Sequence, residues 1–192
     1  MKRLIKLILK IAKQRHGLKV SLLFVLAAML CLAARVSAGP REYEVKAAFI
    51  YNFTQFIEWP KDVFSGADAP FVIAVVGPDP FEGALGRIFT GKSVGSHPIV
   101  TKHFDSVDDL GPCQLLFVPT AEDASSRAIT EKVGKAPTLI VGESETLLSS
   151  GGAIRLYLED DRMRFQINSE ALDVARLKAS AKLMQLARTY KK

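Results

Sequence analysis

Residues 86–93 read Gly-Arg-Ile-Phe-Thr-Gly-Lys-Ser, the spacing in which backbone N–H groups, a lysine and a hydroxyl surround nucleotide phosphates. That chemistry needs a strand running straight into the loop and a helix opening at the Lys-Ser pair, so that the helix N-terminus faces the anion. Neither flank supplies it. Phe81 to Phe89 reads as a helix, and Val94-Gly95-Ser96-His97-Pro98 cannot propagate one. The segment predicts a helix ending near Phe89 and a glycine-punctuated turn into a strand around Pro98 to Lys102.

Other reactive side chains are sparse. His97 and His103 stand near Asp105, Asp108 and Asp109, but the spacing fits no zinc pattern, so both are expected as solvated loop residues and no metal site is assigned. Gly142-Glu143-Ser144-Glu145-Thr146 opens like a nucleophile elbow without its closing glycine. No nucleophile, base and oxyanion donors can be assembled, so the chain is not read as an enzyme and no cofactor is implied. Asn52-Phe53-Thr54 is a formal glycosylation sequon on a helical stripe, where packing is expected.

The first nineteen residues carry Lys2, Arg3, Lys6, Lys10, Lys13, Arg15 and Lys19 and no acid; the apolar run Val20–Ala34 and then Val36-Ser37-Ala38 follow. This is the order of a cleaved secretory signal, residues 1–38, with the mature domain at 39–192. A run of fifteen residues falls short of the roughly 20 of a spanning helix, and no membrane insertion is expected after cleavage. Leu30 before Cys31 is too large for a lipid-attachment site. An exported chain also meets no sustained pool of nucleoside triphosphate.

Removing the leader changes the charge. Residues 1–38 hold eight of the 26 Lys and Arg and none of the acids, leaving 18 basic against 20 acidic residues, a net of about −2. A slightly acidic chain with scattered charges does not call for nucleic acid as a partner. Cys113 is the only cysteine after residue 38, so no internal bridge can form. It is read as a small buried residue entering a strand or, alternatively, as the donor of an intermolecular disulfide.

These residues must be held by a framework, and the pattern specifies one. Residues 41–58 place Val45, Ala48, Phe49, Asn52, Phe53 and Phe56 at helical steps, ended by Trp59-Pro60. Phe71–Val76, Gln114–Val118 and Thr138–Val141 are apolar throughout, as strands of a parallel sheet covered on both faces are. Helices fit at Phe81–Phe89 and Asp123–Val133. Ile154, Leu156 and Leu158, then Met163, Phe165 and Ile167, alternate with polar residues around a turn at Glu159–Arg162, a hairpin with one apolar face. Asn168 or Ser169 can cap a helix continuing through Val174, Leu177, Ala181, Met184 and Tyr190. The expected fold is a single α/β domain: a mostly parallel sheet with helices on both faces, plus a C-terminal β-hairpin and helix.

Tyr43-Glu44-Val45-Lys46-Ala47-Ala48-Phe49-Ile50-Tyr51-Asn52-Phe53, with Phe56 and the closing Trp59-Pro60, resembles the opening signature of the YfiR-like periplasmic proteins. Gly151-Gly152, Arg164-Phe165-Gln166-Ile167-Asn168 and the Leu177 to Ala187 segment are similar to its closing pattern, and Gly91-Lys92 to Pro98-Ile99 to its middle link. The resemblance covers residues 42–188. It implies a regulator in the Gram-negative periplasm that can dimerise and that represses an inner-membrane diguanylate cyclase through the cyclase's periplasmic part. It also implies an outer-membrane lipoprotein that sequesters the regulator, with cyclic di-GMP and biofilm formation as the output. The internal disulfides of well-known members cannot be carried over to a chain whose one remaining cysteine is Cys113.

Tyr43, Tyr51 and Trp59 fall partly outside the Phe49, Phe53 and Phe56 stripe, so the signature helix offers aromatics either to a partner or to packing under the C-terminal helix. A second reading places a metabolite at the carboxyl ends of the parallel strands, around Gly77, Pro119 and Gly142.

Overall fold

The computed structural model describes residues 40–191. The expected leader, its cleavage point and Cys31 lie outside them. From α1 (Pro40–Phe56) the chain passes through β1 (Ile57–Glu58), β2 (Phe71–Val76), α2 (Ala84–Phe89), β3 (Ser93–Val94), β4 (His97–Phe104) and β5 (Leu115–Val118). It continues through α3 (Ser126–Val133), β6 (Leu139–Gly142), α4 (Glu145–Ser149), β7 (Ile154–Glu159) and β8 (Arg162–Ile167), then α5 (Ser169–Val174), β9 (Lys178–Ala179), α6 (Ala181–Leu186) and β10 (Arg188–Thr189). No helix among the described residues is long and apolar enough to cross a membrane.

Eight strands form one sheet in the order β10-β8-β7-β6-β5-β2-β4-β3. Strands β4, β2, β5, β6 and β7 run parallel, and β8 turns back antiparallel on β7. The apolar runs are explained by burial on both sides. Phe71, Ile73, Val75, Leu115, Phe117, Leu139 and Val141 join one core with α1, α2, α5 and α6. Their neighbours Val72, Ala74, Val76, Leu116, Val118 and Ile140 join a second core with Ile129 of α3 and Leu147 of α4. The expected α/β sheet with helices on both faces is therefore present.

The hairpin closes through Asp160 and Asp161, both left-handed at φ 50 and 56, the backbone that a two-residue turn matched to strand twist requires. Only one of its faces is apolar. Ile154, Leu156, Phe165 and Ile167 enter the first core, while Arg155, Tyr157, Arg164 and Gln166 alternate onto the other side.

Four helix limits differ from the expectation. Helix α1 stops at Phe56, because Ile57 and Glu58 pair antiparallel with Ala179 and Lys178. Helix α2 begins at Ala84 rather than Phe81, since Glu82 and Gly83 take φ 49 and 75 and the Asp79 carboxylate accepts from the Phe81 N–H at 2.9 Å. The segment before Ser126 is a tighter 3-10 turn, Thr120–Ser125. The largest difference is at the end, where the continuous helix expected from Ser169 to Tyr190 is cut into α5 and α6. Arg176 turns left-handed at φ 56, Lys178–Ala179 becomes a strand, and Ser180 restarts the helix by accepting from the Leu183 N–H at 3.2 Å.

Candidate partner-binding surface and a buried charge pair

Helix α1 runs antiparallel to the strands: Tyr43 and Lys46 lie near the carboxyl ends of β5 and β6, and Trp59 lies near the amino ends of β2 and β5. Its buried side is Lys46, Ala47, Ile50, Phe53 and Thr54, continued by Ile57 of β1. The stripe read from the sequence is thus rotated. Phe53 belongs to both sets, Phe49 and Phe56 are half-buried, and Val45, Ala48 and Asn52 face solvent. The side that α1 turns to the sheet carries two polar residues, Lys46 and Thr54, and Thr54 donates to its own helix at Tyr51 O, 2.7 Å.

Lys46 is 4% exposed. Its Nζ lies 2.5 Å from Glu143 Oε1 and from Glu42 Oε1 and 4.2 Å from the Tyr43 ring centroid. The other oxygen of Glu143 accepts from Thr120 N at 3.0 Å and Thr120 Oγ1 at 2.9 Å. Burial alone would raise the Glu143 carboxyl, but the Lys46 ammonium and the Thr120 donors outweigh it and hold it below the ordinary range. The Tyr43 hydroxyl is pushed the opposite way, by burial first and then by the negative charges of Glu143 and Glu42.

These groups occupy the crevice at the carboxyl ends of the strands. The Glu122 side chain sits against Gly77, Leu147 against Gly142, and Tyr43 packs edge-on against Phe81 with centroids 5.3 Å apart. The protein's own side chains cover the positions around Gly77 and Gly142 where the sequence suggested a metabolite.

The signature aromatics after Tyr43 divide into three places. Phe49 and Phe53 meet Phe165 at 6.1 and 5.4 Å between centroids, and with Phe56, Leu183 and Leu186 they line a shallow groove of about 200 Å³. Tyr51 packs on Phe89 with Lys92 Nζ 4.3 Å over its ring. Trp59 stands edge-on to Phe71 at 4.8 Å and donates its indole N–H to Gln114 O at 3.1 Å, while Pro60 precedes a 3-10 turn at Lys61–Val63. Ile167 is fully buried, and Asn168 caps α5 by accepting from the Ala171 N–H at 3.3 Å.

The other candidates resolve locally. Gly86 lies inside α2 and Ser93 opens β3, the reverse of the strand-loop-helix order that cradles phosphate. His97 Nδ1 is 2.7 Å from Ala69 O, with its ring stacked on Phe64. His103 Nε2 is 2.5 Å from Gly77 O. Among the described residues no three His, Cys, Asp or Glu side chains are gathered as metal ligands. Ser144 caps α4, accepting from Leu147 N at 3.1 Å. Cys113 is buried, its carbonyl accepts from Thr138 Oγ1 at 2.7 Å, and desolvation pushes its thiol up to about 12.

A family profile described as DUF4154, YfiR/HmsC-like, matches residues 43–188. The chain belongs to the YfiR/HmsC-like family. That match runs from Tyr43 to Arg188, through every element from α1 to the start of β10. Comparison with curated proteins finds no match. Two solved structures are similar to part of the chain. One is a conserved domain protein from Vibrio cholerae O1 biovar El Tor, at 10% identity and TM-score 0.47, covering 63% of this chain and 55% of that one. The other is described as the ABC domain in complex with L-Trp from Streptococcus pneumoniae, at 7% identity and TM-score 0.47, covering 62% and 54%. This YfiR/HmsC-like chain therefore spans about half the length of either. Lys46 and Glu143 are residues whose pairing the sequence did not reveal. The available signal was a lysine on an apolar helix with Glu42 four residues before it, but its main partner lies 97 residues away.

Proposed function

We propose that this protein is a periplasmic repressor, exported by residues 1–38, which holds an inner-membrane diguanylate cyclase inactive by contacting its periplasmic part. Lower cyclic di-GMP and reduced biofilm formation follow. An outer-membrane lipoprotein that sequesters the protein relieves the repression, and the working form is a homodimer. The observation that carries this reading is the family match across the whole described domain.

The contact surface proposed is the outer side of α1 with the exposed end of α6. Asn52 faces solvent beside half-buried Phe49 and Phe56, and Leu186 is 69% exposed. Lys182 lies 5.5 Å over the Phe56 ring and places a charge at the rim. An apolar centre with aromatic members and a polar rim is the usual composition of a protein interface. A photo-crosslinking residue in place of Ala48 or Asn52 is expected to capture a membrane cyclase in living cells, and a control at Lys135 is not. Equal capture at all three positions, or capture of none, would reject this surface.

A further inference from the structure

Helix α5 stops although the apolar spacing of Val174, Leu177, Ala181 and Met184 would carry it on. It ends in a Schellman turn, with Arg176 N–H donating to Asp173 O at 3.0 Å and Leu177 N–H to Leu172 O at 2.9 Å. The left-handed position of such a turn is usually glycine; here it is Arg176 at φ 56. A side chain in that conformation persists where the surrounding structure holds it. Arg176 Nη1 lies 3.0 Å from Asp62 Oδ2, and directly beyond it Lys178 and Ala179 pair with Glu58 and Ile57.

Residues 178–187 then form a strap beside α1. Three features hold it: the two-residue pairing of β9 with β1, the Ser180 N–H bond to Phe56 O at 2.8 Å, and Leu183, the one buried side chain of α6. The rest of α6 is half-buried or exposed. At its far end Ala187 leaves the helix in an extended conformation, φ −84 and ψ 150. Leu183 and Leu186 nevertheless form one wall of the groove whose other wall is Phe49 and Phe56 of α1. A segment with so little burial opens at a lower free energy than the sheet beneath it.

We infer that residues 178–187 are a strap that gates the α1 surface, hinged at Arg176 and Ala187. With β9 clasped to β1, α6 supplies Leu186 and Lys182 to the surface and the membrane partner binds. With the clasp open, that half of the surface is gone and the partner is released. The few element-terminal residues that absorb the change are of the kind that serve as hinges. Because the partner binds the clasped state alone, binding and clasping stabilise each other. The inference rests on the partner surface proposed above and names how that surface is regulated.

Amide hydrogen exchange and partner capture test it together. The Ser180 and Met184 amides, which donate to Phe56 O and Ser180 O, should exchange as a unit at least about tenfold faster than that of Leu139, bound to Gln114 O within the sheet. Ser180 already has φ −63, the angle proline requires. Ser180→Pro therefore deletes the bond to Phe56 without straining the backbone. It should speed Met184 exchange at least about tenfold further, leave Leu139 unchanged, and lose most capture by a photo-crosslinking residue at Asn52. Glu58 and Lys178 are exposed and directly paired, as antiparallel neighbours within reach of a disulfide. The oxidised Glu58→Cys, Lys178→Cys double variant should slow Ser180 and Met184 exchange and capture as fully as the wild type. Exchange of the strap at the Leu139 rate, full capture by Ser180→Pro, or loss of capture in the oxidised double variant would overturn the inference. Absence of capture by the wild type would reject the partner surface and the gate with it, whereas a failure of the gate alone leaves wild-type capture intact.

Discussion

Lys46 Nζ meets Glu143 Oε1 at 2.5 Å across the top of the sheet, and this pair fastens the first turns of α1 to the end of β6. Both side chains are at least nine-tenths buried. Removing Lys46 leaves the buried Glu143 carboxylate without its counter-charge, which typically costs about 3–5 kcal/mol for a buried pair, whereas removing Glu143 leaves Lys46 its contact with Glu42. Lys46→Ala should lower the unfolding free energy by that amount and Glu143→Ala by less, both read from urea titrations. The Lys46→Met, Glu143→Leu double variant should recover most of it, because both buried charges are then gone.

The same pair sets an acid limit. Glu143 has a folded-state pKa below its ordinary value, so as pH falls the unfolded chain takes up the proton first and the native state loses stability. The contribution is complete above the unfolded carboxyl value of about 4.3 and is lost as pH drops through the depressed folded value. The unfolding free energy of the wild type should therefore fall more steeply below about pH 4.3 than that of Glu143→Gln. Parallel curves would remove Glu143 from the account.

At the opposite edge of the pH scale lies Cys113. Its thiol is buried and pushed up to about 12, and the thiolate is the reactive form. Labelling by a disulfide reagent at neutral pH should be slow in the native protein and fast in urea. Since the unfolded thiol ionises near 8.5, the stabilisation from keeping Cys113 protonated is full below that value and lost as pH rises through the folded one. Rapid native labelling would instead expose the sulfur and support an intermolecular disulfide.

Gly152, the second residue of the Gly151-Gly152 pair, has no room for a side chain. A Cβ there would lie 2.7 Å from Leu147 Cγ and 2.9 Å from Leu147 O, so the backbone of α4 would have to move. Gly152→Ala should cost about 1–3 kcal/mol by overpacking, measured as a lower thermal midpoint. Gly66→Ala, with open space around its Cβ, serves as the control.

Leu186 separates contact from stability. It is 69% exposed, and substitutions at such sites usually change stability by less than about 0.5 kcal/mol. Leu186→Glu should leave the unfolding midpoint unchanged and weaken capture of the membrane partner. A stable variant with undiminished capture would exclude this end of α6 from the interface.

The strands were legible where burial is two-sided. Phe71–Val76, for example, is apolar at every position because helices cover both faces of β2. The hairpin was legible from its alternation. The terminal helix was not, since Val174, Leu177, Ala181 and Met184 keep helical spacing through the break. What interrupts it is a pairing with Ile57–Glu58, more than 110 residues earlier, and the Ser180 N–H bond to Phe56 O at 2.8 Å. The buried side of α1 was likewise obscured, because Val45 and Ala48 are as apolar as the residues that the sheet selects. Lys46 and Glu143 are ordinary charged residues until the fold brings them together.

The central claim, repression of a diguanylate cyclase from the periplasm, is tested most directly by cyclic di-GMP measured in the native host. The gene would be deleted, restored, and restored without residues 1–38. The account predicts a rise on deletion that only the exported form reverses. An unchanged level in cells that express the protein, or reversal by the form lacking the leader, would contradict it.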